Sequence, residues 1–364
     1  MSRATVLVLC GGRSAERLVS LVSARCVLAH LDVRRFQARL IHIGADGSWV
    51  EVPPKRLLAA LPEDLHKGGA AVRRLRAGAR SIDPWKLLSA LKSRDCVFPV
   101  LHGPMGEDGT IQGMLELAGC PYVGSGVLGS AAGMDKEATK RVAEQAGLPQ
   151  VPWAVVRTAR EAAAAARRFG YPVFLKPARM GSSVGVVKVA GSSGIAAALR
   201  EALRYDDKAI LEKGVPAREI EIALLGDPWA QKGGRLALRA SICAEIAPNA
   251  EFYDYNAKYL DPDGARVLVP APIPARTAAR VRDIALAAFR ALDLYGLARV
   301  DFFVHKKTGA VYFNEPNTLP GFTPISMYPR LWRESGVSTK RLVETLIALA
   351  LHRAASRGRI SVEP

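Results

Sequence analysis

Apolar positions recur with two periods along this chain. "TVLVLC" (5–10) is a continuous apolar run, the pattern of a strand buried on both faces, and "FQARLIHI" (36–43) reads as a second strand. Between them "SAERLVSLVSARCVLAHL" (14–31) has helical spacing, so the chain opens as a strand–helix–strand unit and a parallel sheet follows. "DCVFPVLHG" (95–103) is another buried strand, ending in polar residues. The basic, alanine-rich, glycine-punctuated stretch 54–80 reads as a flexible insertion.

From about residue 125 the pattern changes. A helix over 134–147, a strand "WAVV" and a helix "AREAAAAARRFG" precede "VFLKPA" and "VGVVKV", two strands joined by a Gly/Ser loop and therefore antiparallel. After "AILEKGV" (209–215) come longer strands, "REIEIALLG" and "RASICAEIAP", a helix over 276–292, and the hairpin "VDFFVHKKTGAVYFNEPN" (300–317). These shifts divide the chain into 1–125, 126–214 and 215–364. The fold class is α/β, or α+β over the whole chain.

The hairpin carries the first chemical signal. "KKTGA" suits a three-residue loop with Gly309 left-handed, which pairs Lys306 with Ala310, His305 with Val311, Phe303 with Phe313 and Asp301 with Glu315. Both acids then share one face, with Asn317 two residues further along it. Like charges directly opposite are unfavourable, so something positive belongs between them. Three hard oxygen donors without His or Cys suit Mg²⁺; the other reading is solvated polar residues at sheet ends.

Composition narrows the class. At 364 residues and 49% hydrophobic, the chain can bury a full core. The apolar run in "MSRATVLVLCGG" is too short for a signal or membrane segment, so neither export nor a bilayer span is expected. Five scattered cysteines without CxxC spacing suggest neither a disulfide framework nor a zinc site, and a reducing cytoplasm fits them. The net charge of +17 would suit nucleic acid, an anionic substrate or a merely basic surface. Its arginines cluster in alanine-rich segments without interleaved aromatics, which leaves nucleic-acid binding without support.

Four further stretches carry polar groups at strand ends. In "FLKPARMGSSVGVVKV", Gly181, Ser182, Ser183 and Gly185 form a loop able to close over phosphates, with Lys176 supplying charge; alone it would be a surface turn. Glu212 and Lys213 lead into a hinge-like Gly214 and Pro216, where a cofactor base and ribose could bind. "GGRSAERLVS" and "LHGPMGEDGTIQGMLELAG" each follow a buried strand and open a helix, where α/β sheets bind ligands. Singly, Glu16 is a first-turn acid and His102 a strand-end histidine. Together these segments point to a nucleotide-dependent enzyme.

"GGRSAERLVSL", "LHGPMGEDGTIQG", "MDKEATK", "KPARMGSSVGV", "EKGVPAREIEI", "FYDYNAKY", "ARVDFF" and "FNEPNTLPGFTPIS" together resemble the D-alanine–D-alanine ligases of the ATP-grasp superfamily, across nearly the whole chain and in the family's order. The resemblance implies an N-terminal parallel α/β domain and two ATP-gripping domains with antiparallel sheets. It implies ligation of two D-alanines through a D-alanyl phosphate, with ATP and two Mg²⁺ (replaceable by Mn²⁺), for peptidoglycan precursor synthesis by a cytoplasmic homodimer. It further implies that Lys136, Lys176 and Lys258 contact the phosphates beneath the Ser182/Ser183 loop. Glu212, Lys213, Val215 and Glu219 would hold adenine and ribose, and Asp301, Glu315 and Asn317 the metal. Arg299 and the Gly321 N–H would form an oxyanion hole. Glu16, with His102 close by, would bind the first ammonium, Ser326 and Met327 the second carboxylate, and Tyr259 would bond Ser182 and Glu16.

Two departures stand out: Gly214, where some relatives carry tryptophan, and Met180, where some carry an acid. Within the resemblance, D-alanine–D-lactate ligation is the near alternative, and the intact "AKY" (257–259) favours the dipeptide. Another ATP-dependent carboxylate–amine ligase and a basic nucleic-acid-binding non-enzyme are the remaining readings.

Overall fold

The computed structural model describes residues 3–248 and 265–359. Strands β1 (Ala4–Gly11), β2 (Phe36–Ile43), β3 (Trp49–Val52), β4 (Arg80–Ser81) and β5 (Cys96–Pro99) form a sheet ordered β4-β3-β2-β1-β5. β1 runs parallel to β2 and β5, as the opening unit requires, while β3 and β4 add antiparallel pairs at one edge. Both faces of β1 are buried: Val6 and Val8 face one cluster, Leu7 and Leu9 another, which accounts for its continuous apolar run.

The second sheet, ordered β6-β9-β7-β8, is built from β6 (Trp153–Val156), β7 (Val173–Pro177), β8 (Val187–Val189) and β9 (Ala209–Lys213). All its pairs are antiparallel, and its helices Ala159–Phe169 and Ile195–Ala202 close a core of their own. The third sheet, ordered β12-β11-β10-β13-β14, comprises β10 (Ala217–Gly226), β11 (Arg239–Pro248), β12 (Ala265–Leu268), β13 (Gly296–His305) and β14 (Val311–Asn317), again antiparallel throughout. Ile220, Ile222 and Leu224 of β10 pack under helix Ala275–Ala291. Ala223 and Leu225 face the other way, into a core shared with β1 and the last helix, Thr339–Arg357. No helix among the described residues is long and apolar enough to cross a membrane.

Two expectations are corrected. The stretch 54–80 is no loose insertion: helices Pro54–Ala59, Pro62–Lys67 and Ala70–Arg76 bury Leu57, Leu65 and Leu75 in the shared core. Three leucines a turn or more apart are too sparse a signal in an Ala/Arg background. The helix expected over 134–147 is Lys136–Gln145, whose start is fixed by the extended Asp135, which caps it through bonds from the Glu137 and Ala138 N–H groups (2.9 and 3.2 Å); a separate helix, Val127–Met134, precedes it.

The hairpin register is the second. Gly309 is left-handed (φ +69°), but the turn closes between His305 and Ala310, so the loop is one residue longer than the sequence suggests. Val304 then faces Val311 and Phe302 faces Phe313, not His305 with Val311 or Phe303 with Phe313. A bulge at Asn314 restores the count, and Asp301 still faces Glu315. The bulge also switches parity: Phe313 points into the core against Phe302, whereas Glu315 and Asn317 share the face of Arg299 and Asp301.

Candidate active site

The site begins on that face of the third sheet. Glu221 of β10, Asp301 of β13 and Glu315 of β14 lie in one row across three adjacent strands. The row is compensated by cations: Arg299 bonds Asp301 with two nitrogens (2.8 and 2.7 Å) and lies 3.3 Å from Glu221. Lys136, at the first position of its helix, lies 3.2 Å from Glu315 and donates to the Met180 carbonyl at 2.7 Å. The positive charge expected between the acids is therefore supplied here by Arg299 and Lys136. Met180 contributes its backbone, so no acid is needed at that position to hold Lys136.

These groups open on a cavity of about 780 Å³ lined by Glu16, His102, Lys136, Ser182, Arg299, Glu315, Asn317, Gly321, Ser326 and Met327. Lys176, Ser183, Glu212, Lys213, Val215, Glu219 and Asp301 do not line it. Lys258 and Tyr259 lie outside the described residues. Ser182 donates to Glu16 Oε1 and thereby joins the Gly/Ser loop to the helix that begins at Arg17. Ser182 and Ser183 both have left-handed backbones (φ +52° and +59°), which turns the loop back on itself. A side chain on Gly321 would run into Ser326 Oγ at 2.7 Å, so the chain approaches closely there. Ser326 precedes helix Met327–Glu334 and its Oγ accepts the Thr323 N–H at 3.0 Å.

His102 is buried rather than presented as a free ligand: Nδ1 lies 3.0 Å from the Leu319 carbonyl and Nε2 3.3 Å from Ser23 Oγ. Burial holds its pKa below the ordinary histidine value, against the pull of Glu16 and of the Leu319 bond. Glu107, which sequence reasoning passed over, also lines the cavity. Its Oε2 accepts the Gly103 N–H at 2.9 Å, and burial, then the nearby Glu16 charge, push its pKa up to about 8. Its place in "LHGPMGEDG" was visible; its burial was not.

The end of the second sheet holds a separate polar cluster. Glu212 is 4% exposed and pairs with Lys140 (2.5 Å) and Lys176 (2.8 Å). Burial alone would raise its pKa, but the two lysines outweigh it and hold it at about 2. Lys140 was not foreseen; it sits one turn after Lys136 on the same helix, the spacing that could have flagged it. Lys213 and Val215 flank the strand end, and Glu219 lies on the charged face of β10 opposite Phe303. At Gly214 a Cβ would meet the Pro172 carbonyl at 2.9 Å and Phe174 at 3.1 Å, so a bulky side chain has no room in this backbone arrangement.

The donor set fits a hard divalent cation. Asn317 Oδ1 is buried and has no hydrogen-bond partner, two residues from Glu315 on the same face. Among the described residues no cluster of three His, Cys, Asp or Glu side chains that could hold a metal is found.

Two family models match the chain: "D-ala D-ala ligase N-terminus" over residues 5–125 and "D-ala D-ala ligase C-terminus" over residues 142–348. The D-alanine–D-alanine ligase A of Bradyrhizobium diazoefficiens is 46% identical, over 97% of this chain and 96% of its own length. That of Deinococcus radiodurans is 45% identical over 95% and 98%. Among solved structures, the Coxiella burnetii D-alanine–D-alanine ligase superposes with a TM-score of 0.83 at 34% identity, covering 99% of this chain and 97% of that one. The VanG D-Ala:D-Ser ligase of Enterococcus faecalis reaches 0.78 at 31%, covering 96% and 100%. With family models spanning both halves and relatives of this identity over nearly full length, the chain belongs to the D-alanine–D-alanine ligase family.

Proposed function

We propose that the cavity binds two D-alanines end to end and joins them at the expense of ATP, with the residues in the following roles. The observation that carries this reading is the convergence, in one cavity, of an ammonium acceptor (Glu16), a cation at the sheet face (Arg299), oxygen donors (Glu315, Asn317) and a tightly turned loop at Gly321 and Ser326. Glu16, already an acceptor from Ser182, receives the ammonium of the first D-alanine and leaves its carboxylate toward Arg299. That carboxylate attacks the γ-phosphorus of ATP, giving D-alanyl phosphate and ADP.

Lys136 and Lys176 are read as phosphate contacts, and the Ser182/Ser183 loop as a cover that excludes water. Mg²⁺, when bound, supplies positive charge against the phosphates, and Asp301, Glu315 and Asn317 would hold it. Glu212, Lys213, Val215 and Glu219 are assigned to adenine and ribose at the strand end.

In the second step the amine of the second D-alanine attacks the acyl carbon, and the negative charge on oxygen falls between Arg299 and the Gly321 N–H; the intermediate then collapses with cleavage of the acyl C–O bond, releasing inorganic phosphate as the nitrogen gives up its proton to form the peptide bond. Ser326 and the Met327 N–H receive the second carboxylate. Domains bounded at about 125 and 214, and a homodimer, are part of the same proposal.

Glu315→Gln and Arg299→Ala test the roles directly. Each should lower D-alanine-dependent phosphate release by ~10²-fold or more, with the far-ultraviolet dichroism unchanged. Turnover within a few-fold of the unaltered protein would refute the role of the residue changed.

A further inference from the structure

The segment Thr318–Phe322 carries the Gly321 amide, yet what holds it comes from the opposite end of the chain. The Phe322 N–H donates to Ser23 Oγ at 3.0 Å, and Ser23 Oγ lies 3.3 Å from His102 Nε2. His102 Nδ1 lies 3.0 Å from the Leu319 carbonyl. A carbonyl only accepts, so Nδ1 carries the proton and Nε2 of a neutral ring is the acceptor. Ser23 must then donate its hydroxyl hydrogen to Nε2 while accepting from Phe322. The bonds run in one direction, from Phe322 N–H to Ser23, from Ser23 to His102, and from His102 to Leu319, closing a ring through the loop that contains Gly321.

Little else in this arrangement can move. Ser23 is 0% exposed on helix Arg17–His30, one turn after Ser20, whose Oγ accepts the Gly11 N–H at 2.8 Å and donates to the Val100 carbonyl. The helix is thus pinned to the ends of β1 and β5 by one serine and to the loop by the next. Phe322 is 2% exposed and packs edge-on against Phe98 with ring centroids 6.0 Å apart. Ser23 Oγ would lie only 3.8 Å from a Cβ built on Gly321.

We infer that Ser23, acting through His102, is a positioning residue that fixes the direction of the Gly321 N–H for the second half of the reaction. His102 thereby changes role, from a substrate contact to the far side of the same clamp. The inference rests on the reading of Gly321 as an oxyanion donor. The clamp is assembled from the first helix, the loop after β5 and the loop after β14, so it exists only in the folded whole.

The test uses the full-length protein with ATP, Mg²⁺ and D-alanine, following kcat by phosphate release and nucleotide affinity by calorimetry. Ser23→Ala leaves the Phe322 N–H and His102 Nε2 without partners, and kcat should fall ~10–100-fold with the ATP dissociation constant within twofold. His102→Asn, which keeps a donor toward Leu319, should retain more kcat than His102→Gln, which does not. A kcat for Ser23→Ala within twofold of the unaltered protein would overturn the inference, as would parallel loss of kcat and ATP affinity or the reverse order of the His102 variants. Gly321→Ala separates the two levels: its full activity would overturn the oxyanion reading and this inference together. If it is inactive while Ser23→Ala is normal, only the inference falls.

Discussion

Two buried glutamates of this chain, Glu107 (9% exposed) and Glu212 (4%), have their pKa values pushed in opposite directions. Glu107, in the loop after β5, is surrounded by backbone amides and another carboxylate, Glu16, and its pKa rises to about 8. Glu212, at the end of β9, lies between Lys140 and Lys176 and falls to about 2. Burial is common to both and pushes both upward, so the sign of the neighbours decides the outcome. Beside Glu16, in the cavity assigned to the amino acids, Glu107 is held protonated so that negative charge is limited; in the region assigned to nucleotide, two lysines around one glutamate leave surplus positive charge.

The largest expected effect comes from breaking the Glu212 cluster. Glu212→Gln leaves two buried ammonium groups facing each other and should cost ~3–5 kcal/mol of unfolding free energy in urea. A loss under ~1 kcal/mol would mean that the cluster is wetter than its geometry implies.

The next two effects appear against pH. Because the folded pKa of Glu212 is depressed from 4.5 to about 2, its stabilisation is complete above pH 4.5 and is lost as pH falls through 2. Glu107 has the opposite sign: its folded pKa exceeds the ordinary 4.5, so the folded state keeps a proton the unfolded state has released. Stability should therefore fall between pH 4.5 and 8 by up to ~1.4 kcal/mol per pH unit, and Glu107→Gln should remove that slope. Parallel stability curves for Glu107→Gln and the unaltered protein would show that Glu107 is ionised at neutral pH.

The smallest effect is a control for exposure. Arg39 and Glu51 form a two-nitrogen pair of the same kind (2.7 and 3.0 Å) across β2 and β3, with side chains 31% and 34% exposed. Glu51→Gln should cost under ~1 kcal/mol in the same urea titration. A cost matching that of Glu212→Gln would remove burial as the explanation of the difference.

Local pattern made much of this legible. The continuous apolar run marked β1, the stretches "FQARLIHI" and "REIEIALLG" read as the strands that became β2 and β10, and counting along the hairpin brought Asp301 opposite Glu315. That last result held through two offsetting features, a longer turn and the Asn314 bulge, neither of which changes the residue spacing that a sequence displays. Glu16 and the Gly/Ser loop were legible because each follows a strand end beside glycine or serine, whereas Arg299 lies inside β13 and was picked out only by the resemblance of "ARVDFF". Ser23, Glu107, Lys140 and Glu221 were not, because their significance lies in partners far away in sequence: Phe322 for Ser23, Glu212 for Lys140, Arg299 for Glu221. Residues 54–80 failed for the converse reason, since their three buried leucines acquire meaning only from the core that receives them.

The most direct test of the account is phosphate release from ATP and Mg²⁺ with D-alanine, L-alanine, D-alanine plus D-lactate, D-alanine plus D-serine, and no amino acid, with products identified by mass. The account predicts release that requires D-alanine and yields D-alanyl-D-alanine as the dominant product even when D-lactate or D-serine competes. Release independent of D-alanine, or a dominant mixed product at neutral pH, would contradict the assignment of the cavity.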